Sequence, residues 1–228
     1  MQNHNHRIYP HLDWRWIDTV LLDMDGTLLD RHFDDYFWHS YVPENYALLH
    51  DLELDESRER LRASYDSCEG TLKWADLDYW TEVLGLDIPA LKRRIDVLVA
   101  IHPHVEEFLR FCREQGKRTC LVTNAHHKTF SIKMAKVGLE HYWDRVVCAE
   151  ELGVAKEEEA FWPHLQQHLG YDKGRTMLVD DTERVLDVAA RHGLAQLIHV
   201  ARPSSRGGAR FSANYPSIEY FKELMPSE

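Results

Sequence analysis

Four acidic residues stand where two apolar runs end. Thr19-Val20-Leu21-Leu22 leads into Asp23-Met24-Asp25-Gly26-Thr27, and Thr176-Met177-Leu178-Val179 leads into Asp180-Asp181. On an extended chain residues i and i+2 face the same side. Asp23 and Asp25 therefore converge, and Gly26 lets the chain turn sharply behind them. Two convergent carboxylates repel each other unless a cation or a proton comes between them. An all-oxygen donor set suits a hard ion such as Mg²⁺. The competing reading of each pair is a cap on a turn or helix, with Asp181 or Thr182 capping the helix that follows the second run. The fully apolar strand before Asp23 favours the metal reading, and Asp180 with Asp181 can complete the same site.

Those acids need a scaffold, and the apolar runs supply it. Five runs, at 19–23, 119–123, 145–148, 176–180 and 196–200, are short, continuous and rich in Val, Leu, Ile and Thr. Fully buried parallel strands have this appearance. Helical patterns lie between them. Val105, Phe108, Leu109 and Cys112 follow i, i+3, i+4, i+7 and close at Gly116, and a second segment runs from Thr182 to His192 and stops at Gly193. The alternation predicts an α/β fold with a Rossmann-like parallel sheet. Sites in such sheets lie outside the carboxyl ends of the strands, where Asp23, Thr123 and Asp180 stand. Residues 31–101 break the alternation and read as helices. Phe33, Phe37 and Tyr41 fall at i, i+4, i+8, and Leu72 to Leu84 reads as one helix ended by Gly85. The expected organisation is an α/β core of residues 1–30 plus 102–228 with a helical cap of residues 31–101 inserted after the first strand. The loop 202–208 is expected to be mobile, and a short helix is expected around Ser217 to Leu224.

Composition narrows the function classes. The 228 residues carry 27 Lys plus Arg against 38 Asp plus Glu, a formal charge of −11. That balance argues against nucleic-acid polymers and anionic membranes as partners, which need a basic face. Four cysteines form no C-x-x-C pair, which suggests buried free thiols in a reducing compartment. No apolar run approaches the roughly 20 residues that cross a bilayer, and Met1–His6 is polar. A cytoplasmic location is the expectation. The fifteen histidines include no H-E-x-x-H, so no zinc site is expected. His126 and His127 read as an exposed helix start.

The set Asp23–Thr27, Thr123, Lys156 and Asp180-Asp181 resembles the four motifs of the haloacid dehalogenase superfamily of phosphohydrolases, in order and in spacing, over essentially the whole chain. The lysine lacks the neighbouring proline common in relatives, and Lys133 and Lys136 compete on spacing but lie inside the helix after Thr123. A closer resemblance, to bacterial purine (GMP/IMP) 5′-nucleotidases of that superfamily, rests on Asp18–Asp30, Tyr36-Phe37-Trp38, Leu77–Trp80, Leu84–Asp87, Thr123–His126 and Tyr215-Pro216-Ser217.

The resemblance implies that Asp23 is the nucleophile and Asp25 the proton donor and then the base. It implies Mg²⁺ held by Asp23, the Asp25 backbone carbonyl and Asp181, with Asp180 in support. Phosphate would be held by Thr123, the Asn124 N–H and Lys156, and the substrate would be a small phosphate ester, a purine nucleoside monophosphate. Dehalogenases of the superfamily lack the second acid, so Asp25 argues for phosphate chemistry. Phosphoglycolate or a sugar phosphate as substrate, a phosphosugar mutase and a non-catalytic scaffold remain as alternatives. Ten of the 25 aromatic residues lie within 33–80. Most should pack the helical insertion; Tyr36, Trp38 and Trp74 are the candidates to stack on a base.

Overall fold

The computed structural model describes residues 7–68 and 70–226; Met1–His6 lies outside the described residues. Six strands form one parallel sheet in the order β3-β2-β1-β4-β5-β6. They are β1 (Thr19–Leu22), β2 (Arg118–Thr123), β3 (Arg145–Cys148), β4 (Thr176–Asp180), β5 (Gln196–Val200) and β6 (Ser217–Ile218). β1 is the centre: Leu22 is in register with Leu121 of β2 on one side and Val179 of β4 on the other. Its four residues are all buried. Val20 and Leu22 join a core with Phe108, Met134 and Phe221, whereas Leu21 joins a second with Phe161, Trp162 and Leu186. Alternate side chains thus feed opposite faces of the sheet, and both faces are covered. This is the arrangement that lets β1 be apolar at every position.

Between β1 and β2 the chain runs through helices α1 (His32–Tyr36), a π-helical turn (Phe37–Tyr41), α2 (Val42–His50), α3 (Leu54–Asp66), α4 (Leu72–Ala75), α5 (Leu77–Leu84), α6 (Ile88–Arg94) and α7 (Val105–Glu114). After β2 come α8 (His127–Val137), α9 (Phe161–Leu169) and α10 (Glu183–His192). Phe37, Trp38, Leu61, Tyr65, Trp80 and Ile88 form a core of their own, separate from the two beside the sheet. The chain enters and leaves this helical segment side by side. The Asp30 N–H donates to the Ala100 carbonyl at 2.9 Å and the His102 N–H to the Leu28 carbonyl at 2.9 Å.

Three expectations are corrected. Leu72 to Leu84 is two helices, because Asp76 is extended and its Oδ1 accepts from the N–H groups of Asp78 and Tyr79, starting α5 afresh. The region from Ser217 begins as the edge strand β6, followed by a 3₁₀ turn at Phe221–Leu224. The loop 202–208 is tied down: the Pro203 carbonyl accepts from the Arg31 N–H at 2.9 Å, and the Ser205 N–H donates to Asp30 at 3.0 Å. All four cysteines are buried and free. Among the described residues no helix is long and apolar enough to cross a membrane.

Candidate active site

The strand order changes direction at β1, whose neighbours β2 and β4 lead to opposite edges. At such a switch point the loops after adjacent strands part and leave a crevice. Asp23 follows β1 into that crevice, and its N–H donates to the Val179 carbonyl at 3.1 Å. Gly26 takes φ +87°, and a Cβ there would lie 2.5 Å from Asp181 Oδ2. Glycine is thus required both for the turn and for the close approach of the two acidic loops. Asp180 is the last residue of β4, and its Oδ1 accepts from the Thr182 N–H at 2.9 Å.

Lys156 ties the acids together. It is 3% exposed, and its Nζ donates to Asp23 Oδ1 at 2.5 Å and Asp180 Oδ2 at 2.7 Å. Its backbone is placed by Asn124 Oδ1, which accepts the Lys156 N–H at 2.9 Å, and its carbonyl accepts from Trp162 Nε1 at 3.0 Å. Lys156, preferred over Lys133 and Lys136 because it stands before a helix and not inside one, thus has its ammonium on the first acid. Thr123 ends β2, and its Oγ1 accepts from the Ala125 N–H at 3.0 Å. Asn124 Nδ2 donates to Glu157 at 2.7 Å, so the Asn124 side chain spans two loops.

Oxygen atoms of Asp23, Asp180 and Asp181 lie within 4.8 Å of one another. The Asp25 carboxylate is outside that group; its Oδ1 accepts from Lys133 Nζ at 2.5 Å. Burial pushes the carboxyls of Asp23 and Asp25 up to about 6. For Asp23 the charge of Lys156 offsets part of the burial and Asp180 adds to it; for Asp25, Lys133 and Asp34 play those parts. Asp181 stands well above the usual carboxylate range through burial and its neighbours Asp23 and Asp180. Its ion-pair partner is the exposed Arg31, 3.1 Å away. Burial disfavours the Lys156 ammonium, but Asp180 and Asp23 outweigh it and raise the lysine.

A cavity of about 270 Å³ lies over these groups, lined by Asp23, Asp25, Thr123, Lys156 and Asp181 from the loops and by Trp38 and Trp74 from the helices. It shares both tryptophans with a second cavity of about 600 Å³ that extends to Tyr65, Arg58 and Arg62. Trp38 is 8% exposed and packs on Tyr65, Trp74 and Trp80. Tyr36 is corrected: it stacks on Tyr41 with centroids 6.2 Å apart and lines neither cavity. His126 is corrected as well. It is buried at the start of α8 with Nε2 3.2 Å from Glu150, while His127 is exposed and pairs with the same Glu150 at 2.7 Å.

Three residues at the site escaped the sequence reading as participants: Arg31 on Asp181, Asp34, and Lys133 on Asp25. The available signal was Lys133 four residues after Thr129, a spacing that shares one helix face.

Comparison with known proteins agrees with this geometry. Residues 17–193 match the model of the haloacid dehalogenase-like hydrolases. The chain belongs to that family. It is a hydrolase acting on phosphoric monoesters. It is 35% identical over 220 residues to the GMP/IMP nucleotidase YrfG of Escherichia coli K12, covering 96% of this chain and 99% of that one. It is 25% identical over 184 residues to the pyrimidine 5′-nucleotidase YjjG of the same organism, covering 75% of this chain and 79% of that one. A haloacid dehalogenase-type phosphatase from Thermococcus onnurineus shares the fold with a TM-score of 0.76 at 22% identity, covering 91% of this chain and 96% of that one.

Proposed function

We propose that the chain is a Mg²⁺-dependent 5′-nucleotidase that hydrolyses purine nucleoside monophosphates, GMP and IMP, through an aspartyl-phosphate. The observation that carries the reading is the single cavity that meets Asp23, Asp25, Thr123 and Lys156 at one end and Trp38 and Trp74 at the other. The 35% identity to a GMP/IMP nucleotidase over nearly the full length points to the same substrate class.

The donor set fits a hard divalent ion. Three carboxylates face each other across less than 4.8 Å, and Lys156 and the exposed Arg31 leave them under-neutralised. Asp23, Asp181 and the Asp25 carbonyl would hold the ion, with Asp180 in support directly or through water. When bound it offsets the phosphate charge beside the carboxylates. Asp23 attacks phosphorus, the P–O5′ bond breaks, and Asp25 gives its proton to the leaving oxygen. Water then attacks the same phosphorus, Asp25 takes its proton, and the bond to Asp23 breaks. The pKa near 6 suits Asp25 to both transfers. Thr123, the Asn124 N–H and Lys156 hold the phosphate oxygens. Residues 31–101 act as the cap that receives the nucleoside, with Trp74 the stacking surface.

The test is phosphate release from IMP, GMP, AMP, pyrimidine monophosphates, phosphoglycolate and hexose phosphates with Mg²⁺, beside an EDTA blank. The reading expects IMP and GMP to lead the panel and EDTA to silence it. A preference for phosphoglycolate or a hexose phosphate would discard the nucleotide assignment.

A further inference from the structure

α8 carries a lysine where an amphipathic helix would place an apolar side chain. Lys133 is 1% exposed. Its Nζ donates to Asp25 Oδ1 at 2.5 Å and also to Asp34 Oδ2. Asp34 Oδ1 in turn accepts from Lys92 Nζ at 2.8 Å, and Lys92 is 2% exposed. Asp25, Lys133, Asp34 and Lys92 thus form one row of alternating charge. They come from four places: the loop after β1, α8, α1 and α6. The ring of Phe33 lies 5.1 Å from Lys133 Nζ and 4.9 Å from Lys92 Nζ, closing the row off from solvent on one side.

Such a row is a poor device for stability alone. Burying ions costs their hydration, and apolar residues of similar volume hold a fold as well or better. What the row does accomplish is geometric. With Asp25 Oδ1 held by Lys133, Oδ2 is the oxygen left for proton transfer. α6 packs against α8, and Asp34, braced by Lys92 within the helical segment, meets Lys133 only while that segment is seated on the α/β unit. We propose that Lys133 is a positioning residue that aims the Asp25 carboxyl at the substrate, and that Lys92 and Asp34 make this aim depend on the seating of the helical segment. The proposal rests on the assignment of Asp25 as the proton-transfer residue.

The test uses two substrates that differ in their need for a proton. The ribose oxygen of IMP must be protonated to leave; nitrophenolate leaves without help. In the full-length K133M enzyme with Mg²⁺, single-turnover cleavage of IMP should fall by between about a hundredfold and ten-thousandfold, the usual range for positioned acid catalysis. The KM for IMP should stay within about threefold of wild type, since the lysine acts on the acid and not on binding. With p-nitrophenyl phosphate the same variant should give a burst of about one nitrophenolate per enzyme followed by a slow steady state, because only the water step still needs Asp25. K133R, which keeps the charge, should recover at least about tenfold of the loss. K92M should show the same signature more weakly and should add nothing in the K133M background.

Equal losses on both substrates without a burst, or a change confined to KM, would overturn the positioning role. Independent, multiplying effects of K92M and K133M would overturn the coupling. If K133M does not give a cooperative melt, D34N, which leaves Lys133 in place and removes its brace, carries the same burst test. A wild-type enzyme that releases no phosphate from IMP would instead defeat the parent reading, and p-nitrophenyl phosphate would still report on Lys133.

Discussion

Asp23→Asn should abolish turnover and yet stabilise the metal-free fold at neutral pH. Burial, seconded by Asp180 and only partly offset by Lys156, holds the Asp23 carboxyl at about 6 against 3.8 for an unperturbed side chain. The sign follows from proton counting. Between about pH 4 and pH 6 the folded chain keeps a proton that the unfolded chain has lost, so stability falls as pH rises through that window. At 1.36 kcal/mol per tenfold change in acidity, ionised Asp23 costs the metal-free protein about 3 kcal/mol at pH 7. Asparagine never pays it. For a chain of this size each kcal/mol moves the melting temperature by about 2–4 °C, so the variant should melt about 6–12 °C above wild type at pH 7 in EDTA. The gap should close as the pH falls towards 4, where wild-type Asp23 is protonated too. Mg²⁺ should lift wild type by mass action and leave the variant nearly unmoved. Differential scanning calorimetry across pH 4 to 8 with and without Mg²⁺ reads all of this. A variant that melts below wild type at pH 7 in EDTA, or a gap that does not shrink on acidification, would refute the reasoning.

Gly26→Ala places a Cβ 2.5 Å from Asp181 Oδ2 at a φ of +87°; the Mg²⁺ concentration for half-maximal activity should rise at least about tenfold, with about 1–2 kcal/mol of fold stability lost to the left-handed backbone, read by activity titration and urea melts. Lys156→Met leaves Asp23 and Asp180 without their buried cation and should cost about 3–5 kcal/mol in urea unfolding together with all measurable turnover. Trp74→Ala should weaken IMP and GMP by about 1–3 kcal/mol, seen in kcat/KM, while p-nitrophenyl phosphate changes less than about threefold because it has no base to stack.

Much of the site was legible because its positions are set by one strand and its neighbours. A short uninterrupted run rich in Val, Leu and Thr reads as a strand covered on both faces, which puts the first polar residues after β1, β2 and β4 at one edge of the sheet. Asp23, Thr123 and Asp180 follow from that logic and line one cavity together with Lys156, which lies beyond β3 and was expected from the family resemblance. Lys133 did not follow. A lysine inside a helix ordinarily faces water, and its burial is decided by Asp25 and Asp34, which lie about a hundred residues earlier in the chain. The break at Asp76 was hidden for a local reason: apolar residues continue at helical spacing through it, and its capping bonds win over periodicity. Tyr36 was misplaced because aromatic residues two apart on a helix point to different sides, and Trp38 took the cavity side. The strand β6 is two residues long, too short for any periodicity to announce it.

The most direct measurement of the central claim follows the phosphoryl group of IMP. Enzyme and Mg²⁺ are mixed with phosphorus-labelled IMP, quenched in acid within the first turnover, digested and mapped by mass spectrometry. The account predicts label on the peptide that carries Asp23, none in D23N, and slower labelling from AMP or a pyrimidine monophosphate. Phosphate released from IMP at full rate with no label ever found on Asp23 would contradict it.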